Sequence, residues 1–135
     1  RSPLPVSLAA NRDYPRPGQV YLAGGKGHLR LDASGRFLYT EEPTHLVNRP
    51  SVDVFFQSLA CTWPKPGCAV LMTGMGRDGG EGMRLLRERG WHTIAQDKAT
   101  SVVYGMPKAA VELKAAVQVL PVSEISRAVK GAFGC

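Results

Sequence analysis

The stretch from Cys68 to Gly80, CAVLMTGMGRDGG, decides how this sequence folds. Cys68 to Met72 is a short continuous apolar run, the pattern of a strand buried on both faces. It runs straight into Thr73 to Gly80, where four of eight residues are glycine, so the backbone can turn sharply and approach a neighbour closely. The segment from Gly79 to Arg89 then reads as a helix, with Met83 and Leu86 on its apolar side and Gly90 as its C-terminal stop.

Downstream the same alternation continues. Thr93 to Gln96 reads as a strand, Pro107 suits the first position of a helix reaching about Lys114, and Val117 to Leu120 reads as a further strand. Ser123 is placed to cap a last helix whose Val122, Ile125 and Val129 would face inward. Strands separated by helices imply parallel pairing with right-handed crossovers. The expected fold is therefore α/β, a doubly wound, mostly parallel, Rossmann-like three-layer sheet.

Upstream the local rules differ. Eight of the ten prolines fall before residue 67, whereas nine of the fifteen glycines fall after it. Val20 to Ala23 and His28 to Leu31 flank a Gly-Gly-Lys-Gly turn, and Phe37 to Thr40 follows the turn from Asp32 to Gly35; both read as short antiparallel strands. Ser51 is placed to cap a helix in which Val52, Phe55, Phe56 and Leu59 recur at helical spacing. A hairpin region over residues 1–50 thus precedes a βα region over residues 51–135.

Composition excludes several classes of function. In 135 residues, 44% are apolar and 21% charged, the balance of a globular protein rather than a disordered or fibrous one. No apolar run approaches the 18 or so residues of a membrane-spanning helix, so a cytoplasmic protein without membrane insertion is expected. The net charge of +6 is spread evenly, with no basic tail and few aromatics, which argues against a nucleic-acid partner and suits an acidic protein partner equally well. Cys61, Cys68 and Cys135 form no CxxC pair, and His28, His45 and His92 stand far apart, so neither a disulfide framework nor a metal site is expected.

In a parallel sheet the working residues lie beyond the carboxyl ends of the strands, which directs attention to the loop after Met72. Its single carboxylate, Asp78, has two readings: it caps the helix beginning at Gly79, or it orients a histidine for acyl transfer. Gly74, Gly76 and Gly79 also satisfy G-x-G-x-x-G, with Asp97 at the ribose-binding distance, so a dinucleotide-binding module stays open. None of the eight serines stands in a G-x-S-x-G elbow. Ser51 reads as a cap, Ser101 as a loop residue, Cys61 and Cys68 as buried inert thiols, and His28 as a structural hydrogen-bonding residue.

Leu71 to Gly80, LMTGMGRDGG, together with Thr93 to Pro107, TIAQDKATSVVYGMP, resembles the C-terminal catalytic domain of the chemotaxis-type protein-glutamate methylesterases. RPGQVYLAGGKGHLRL from Arg16 and VNRPSVDVFF from Val47 are also similar to that family, the latter in a shortened form. The resemblance implies hydrolysis of glutamate methyl esters, and often deamidation of glutamines, on the cytoplasmic helices of chemoreceptors in a two-component pathway. It implies a Ser-His-Asp triad whose Asp is Asp78, an oxyanion-hole amide near Met75, and no cofactor. Neither the family's serine motif nor its histidine motif has a match here, and the receiver domain of typical members has none either. The expectation is thus a C-terminal portion of the catalytic domain, inactive alone, which self-associates through an uncovered sheet edge. A noncatalytic signalling adaptor is the remaining alternative.

Overall fold

Around the decisive stretch the chain forms a three-stranded parallel sheet. A computed structural model describes residues 2–46 and 48–134; Val47, where one matching motif starts, and Cys135 lie outside them. In chain order the elements are β1 (Val6–Leu8), β2 (Val20–Leu22), β3 (His28–Leu31), β4 (Phe37–Thr40), α1 (Val52–Thr62), β5 (Cys68–Leu71), α2 (Gly80–Glu88), β6 (His92–Gln96), α3 (Met106–Glu112), β7 (Gln118–Leu120) and α4 (Val122–Ala132).

The expected α/β alternation is present. Strands pair in the order β5-β6-β7, all parallel, with Val70 opposite Ile94 and Ile94 opposite Gln118. The helices α2 and α3 bridge successive strands, and α4 packs on β6. Thr93 to Gln96 are all buried, as the central strand of a sheet covered on both faces requires. Ala69, Leu71 and Ala95 join Met83, Leu86, Ala110 and Ala115 in one core cluster, so β5, β6, α2 and α3 share a single apolar layer. Met83 and Leu86 have no exposed surface, the positions that the helical spacing assigns to the core.

β5 is less buried than its apolar run suggests. Ala69 and Leu71 are buried, but Cys68 and Val70 on the opposite face are half-buried, and Met72 lies past the strand and is exposed. Strand β5 ends the described sheet, and Val70 and Cys68 line two apolar grooves beside it.

The first half departs from the expected meander. β3 and β4 form the antiparallel hairpin, closed by Asp32 Oδ1 accepting from the amides of Ser34 and Arg36. β2 does not pair with β3; it runs parallel to β1, a strand that sequence alone leaves unassigned. Residues 24–27 are used for a crossing instead of a turn: Gly24 N donates to Tyr39 Oη, and a Cβ on Gly25 would lie 2.6 Å from the Tyr39 ring. The far end of the chain also differs. The cap position of α4 is Pro121 rather than Ser123, Val122 is exposed, Val129 is half-buried, and only Ile125 is buried there.

Helix α1 ties the halves together. Its N-cap is Ser51, and it packs on β3 through one face and on α2 through another. None of the helices among the described residues is long and apolar enough to cross a membrane.

Candidate active site

Asp78 sits in the loop between β5 and α2, yet it serves neither of those elements. Its Oδ1 accepts from Ser51 Oγ at 2.8 Å and from Asp53 N at 3.0 Å, and its Oδ2 accepts from Val52 N at 2.7 Å. A helix leaves its first amides without internal partners. In α1 the first two go to Asp78, and the third, Val54 N, goes to Ser51 Oγ at 3.4 Å. The reading in which Asp78 caps the helix after Gly79 is therefore corrected: α2 has Gly79 as its N-cap and no side-chain cap. Gly79 holds φ at +97°, where a Cβ would also strike Leu71, and this turn swings the preceding carboxylate away from α2 towards α1.

The α2 N-terminus receives its anion from the other helix. Asp53, in the first turn of α1, accepts from Gly82 N at 2.7 Å. Burial pushes the Asp53 carboxyl above its ordinary range; the amides of Gly82 and Gly79 oppose that rise, and the charges of Asp78 and Glu81 add to it. This arrangement removes the physical basis for the dinucleotide reading, because the amides that would face a pyrophosphate already face a carboxylate. Asp97 is likewise committed, its Oδ1 accepting from the amide and hydroxyl of Thr100.

The loop from Thr73 to Gly76 is clamped by the segment after β6. Gly74 N donates to Val103 O, Gly105 N and Met106 N both donate to Gly74 O, and Thr73 N donates to the buried Gln96 Oε1. Gly105 must lack a side chain, since a Cβ there would lie 2.7 Å from Gly74 O and 2.8 Å from Gly76 O. Held at its base in this way, the loop projects Met75, which is 81% exposed. Among the described residues nothing accepts a hydrogen bond from the Met75 amide.

Three residues that sequence treats separately meet at this point. The fully buried His28 accepts from Ser51 N through Nδ1 at 3.0 Å, so its Nε2 carries the proton and donates to Pro43 O at 2.9 Å. Ser51 in turn donates to Asp78. A His, a Ser and an Asp are thus adjacent, but in the wrong order for catalysis, because a triad needs the imidazole between hydroxyl and carboxylate. His28 has both nitrogens engaged with backbone, the structural role its position beside a hairpin implies. His92 bonds Gln118 and Ser101 bonds Asp97 O, neither near Asp78 in the bonding network. Cys61 is exposed rather than buried, while burial pushes the Cys68 thiol up, away from a reactive thiolate. A cleft of about 280 Å³ opens beside Asp78, lined also by Ser51, Asp53, Arg77 and Glu81.

Sequence reasoning missed Asp53, and the signal was present: an Asp at the second position of a helix, ahead of an apolar face, facing a Gly-Gly-Glu-Gly helix start in the same chain.

A parallel α/β sheet with a clamped glycine loop and an anchored carboxylate defines an open α/β architecture whose candidate site lies beyond the carboxyl ends of the strands. Residues 1–129 match the family model described as CheB methylesterase, and the chain belongs to that family. It is 53% identical over 123 residues to the protein-glutamate methylesterase/protein-glutamine glutaminase 2 of Cupriavidus metallidurans, covering 91% of this chain and 36% of that protein. It is 53% identical over 125 residues to protein-glutamate methylesterase/protein-glutamine glutaminase 3 of Pseudomonas aeruginosa, covering 93% of this chain and 37% of the relative. The crystal structure of the Thermotoga maritima CheB methylesterase catalytic domain superposes with a TM-score of 0.83 at 36% identity, over 90% of this chain and 66% of that one. The chain thus spans little more than a third of the length of these curated relatives.

Proposed function

We propose that this chain contributes the acid member and the oxyanion loop of a protein-glutamate methylesterase, which also deamidates glutamine. The observation that carries the reading is the anchoring of Asp78 by three donors at the carboxyl end of a parallel strand, beside a clamped glycine loop. A carboxylate fixed in this manner can orient an imidazole and stabilise the imidazolium formed during acyl transfer. The nucleophilic serine and the histidine would come from sequence outside these 135 residues.

In this reading the serine oxygen attacks the ester carbonyl of a methylated glutamate while the histidine takes its proton. The Met75 amide stabilises the tetrahedral oxyanion, and methanol leaves with the proton returned by the imidazolium. Water then repeats the sequence on the acyl-enzyme. With glutamine the leaving group is ammonia. The chemistry requires no metal or organic cofactor. The substrates would be the cytoplasmic helices of methylated chemoreceptors, with a receiver domain of the same protein as regulatory partner. The family membership and the names of the relatives support this over an adaptor or a nucleotide-binding module.

The test is methanol release from methylated receptor by the full-length methylesterase carrying this sequence, compared with its Asp78→Asn variant. Loss of several powers of ten in turnover is expected. Near-normal turnover in a folded variant would reduce Asp78 to a helix cap.

A further inference from the structure

Ser51 makes one more hydrogen bond than a helix cap needs. Capping requires only that the hydroxyl accept, and that bond, from Val54 N, is the longer one at 3.4 Å. The hydroxyl proton is given to Asp78 Oδ1 at 2.8 Å. Ser51 is itself almost fully buried, and its backbone is fixed from the other side by His28 Nδ1, so the Cα that carries the hydroxyl is held in place beside the carboxylate. Serine at this place is therefore a donor built into the site.

The distribution of donors on the carboxylate is uneven. A carboxylate offers about four lone-pair positions, two on each oxygen. Oδ1 has both filled, by Ser51 Oγ and Asp53 N, whereas Oδ2 accepts only from Val52 N. We infer that Ser51 is a positioning residue for the hydrolytic reaction: by saturating Oδ1 it leaves Oδ2 as the oxygen that receives the imidazole N–H, and it tempers the charge that this oxygen presents. The inference rests on the proposed function, since it needs Asp78 to face a histidine.

A donor withdrawn from a carboxylate leaves that carboxylate a stronger base, which holds an imidazolium more firmly. The acid limb of the kcat/KM profile, set by the histidine, should then move to higher pH. Capping alone predicts no such movement. Glycine separates the two roles, because it caps nearly as well as serine but has no hydroxyl.

The experiment compares Ser51→Gly, Ser51→Thr, Ser51→Cys and Asp78→Asn in the full-length methylesterase, reading kcat, KM for methylated receptor, the pH profile and thermal unfolding. Ser51→Thr should stay within about twofold of the wild type. Ser51→Gly should lose about tenfold in kcat with KM unchanged and its acid limb displaced upward, and Ser51→Cys, a weak donor of nearly the same shape, should fall between. A glycine variant with wild-type kcat and an unmoved limb overturns the inference; so does a cysteine variant as active as serine, even if the glycine variant does not fold. An inactive Asp78→Asn beside an unaffected Ser51→Gly removes only the role of Ser51. An active Asp78→Asn removes the proposed function and this inference with it.

Discussion

Asp53 and Asp78 each cap the helix that the other belongs to or leads into. Asp78 precedes α2 but holds the first amides of α1, and Asp53 lies in α1 but holds Gly82 N at the start of α2. The two helix N-termini thus meet with their positive ends together, and two carboxylates satisfy both. The exchange makes the position of Asp78 depend on the packing of α1 against α2, not on the flexibility of its own loop. Rigidity of that kind is what a group that must orient another side chain requires.

Removing Asp78 should therefore be felt in stability as well as in activity. Asp78→Ala leaves the half-buried Val52 N and Asp53 N without their acceptors, at a cost of roughly 1–3 kcal/mol by the usual worth of a cap and of partly desolvated amides. Asp78→Asn keeps an acceptor oxygen but must turn an NH2 towards one of the donors, so its cost should be smaller. Urea unfolding of the two variants beside the wild type reads this order directly. If both unfold at the wild-type midpoint, the contact with α1 is not a stabilising one.

The pH dependence of stability carries a signature of Asp53. Its carboxyl titrates above the ordinary value, chiefly through burial, so the folded state binds its proton more tightly than the unfolded chain does. The stability that this proton contributes is complete below the unfolded value near 3.8 and is lost as pH rises through the folded value. Asp53→Asn keeps an oxygen for Gly82 N and has no proton to lose. The gap in unfolding midpoint between wild type and variant should move in favour of the variant as pH rises from about 3.5 to 6. A gap that is constant with pH would show that the two amides cancel burial, and one that moves the other way that they outweigh it.

How far the sequence discloses this arrangement follows from the range of each interaction. The parallel half is readable because its signals are local: an apolar run, a glycine turn and the spacing of Met83 and Leu86 lie within about twenty residues. Strand β1 has three residues, all exposed, and pairs with residues about fourteen positions away, so neither alternation nor burial announces it. The turn expected between β2 and β3 had suitable glycines, but Tyr39 from another strand claims that backbone. Asp78 stands out in the sequence as the single carboxylate of its loop. Its true partners lie 25 to 27 residues away, and local spacing pointed to the nearer helix instead.

An open strand edge gives a prediction about association. β5 ends the described sheet, an apolar groove of about 710 Å³ runs between it and β2, and Val6, Leu8 and Leu22 are exposed on the β1–β2 pair. Unpaired amides flanked by apolar surface recruit a strand. We propose that the 135-residue chain alone pairs with a second copy along β5, and sedimentation velocity over a hundredfold concentration range should show a rising mean mass. A concentration-independent monomer would mean that the edge is protected.

Two glycines inside helices should respond to alanine in opposite directions. Alanine is favoured over glycine in a helix interior by up to about 1 kcal/mol, and a Cβ added to Gly131, the penultimate residue of α4, would meet no atom within 4 Å, so Gly131→Ala should be stabilising by a part of that amount. Gly82 in α2 enjoys the same intrinsic gain, but a Cβ there would lie 2.6 Å from Phe56 Cβ and 3.2 Å from Asp53 Cα, atoms fixed to the α1 backbone. Overpacking of this sort costs about 1–3 kcal/mol, which exceeds the propensity gain over most of that range. Gly82→Ala should therefore be destabilising on balance. It should also push α1 away from α2, lengthen the bond from Gly82 N to Asp53 and, on the proposed function, lower methanol release by the full-length protein while Gly131→Ala leaves it unchanged. Thermal unfolding and methanol release on the pair decide the matter: equal stabilisation by both substitutions, with activity intact, would mean that the close approach of the two helices does not set the position of Asp78.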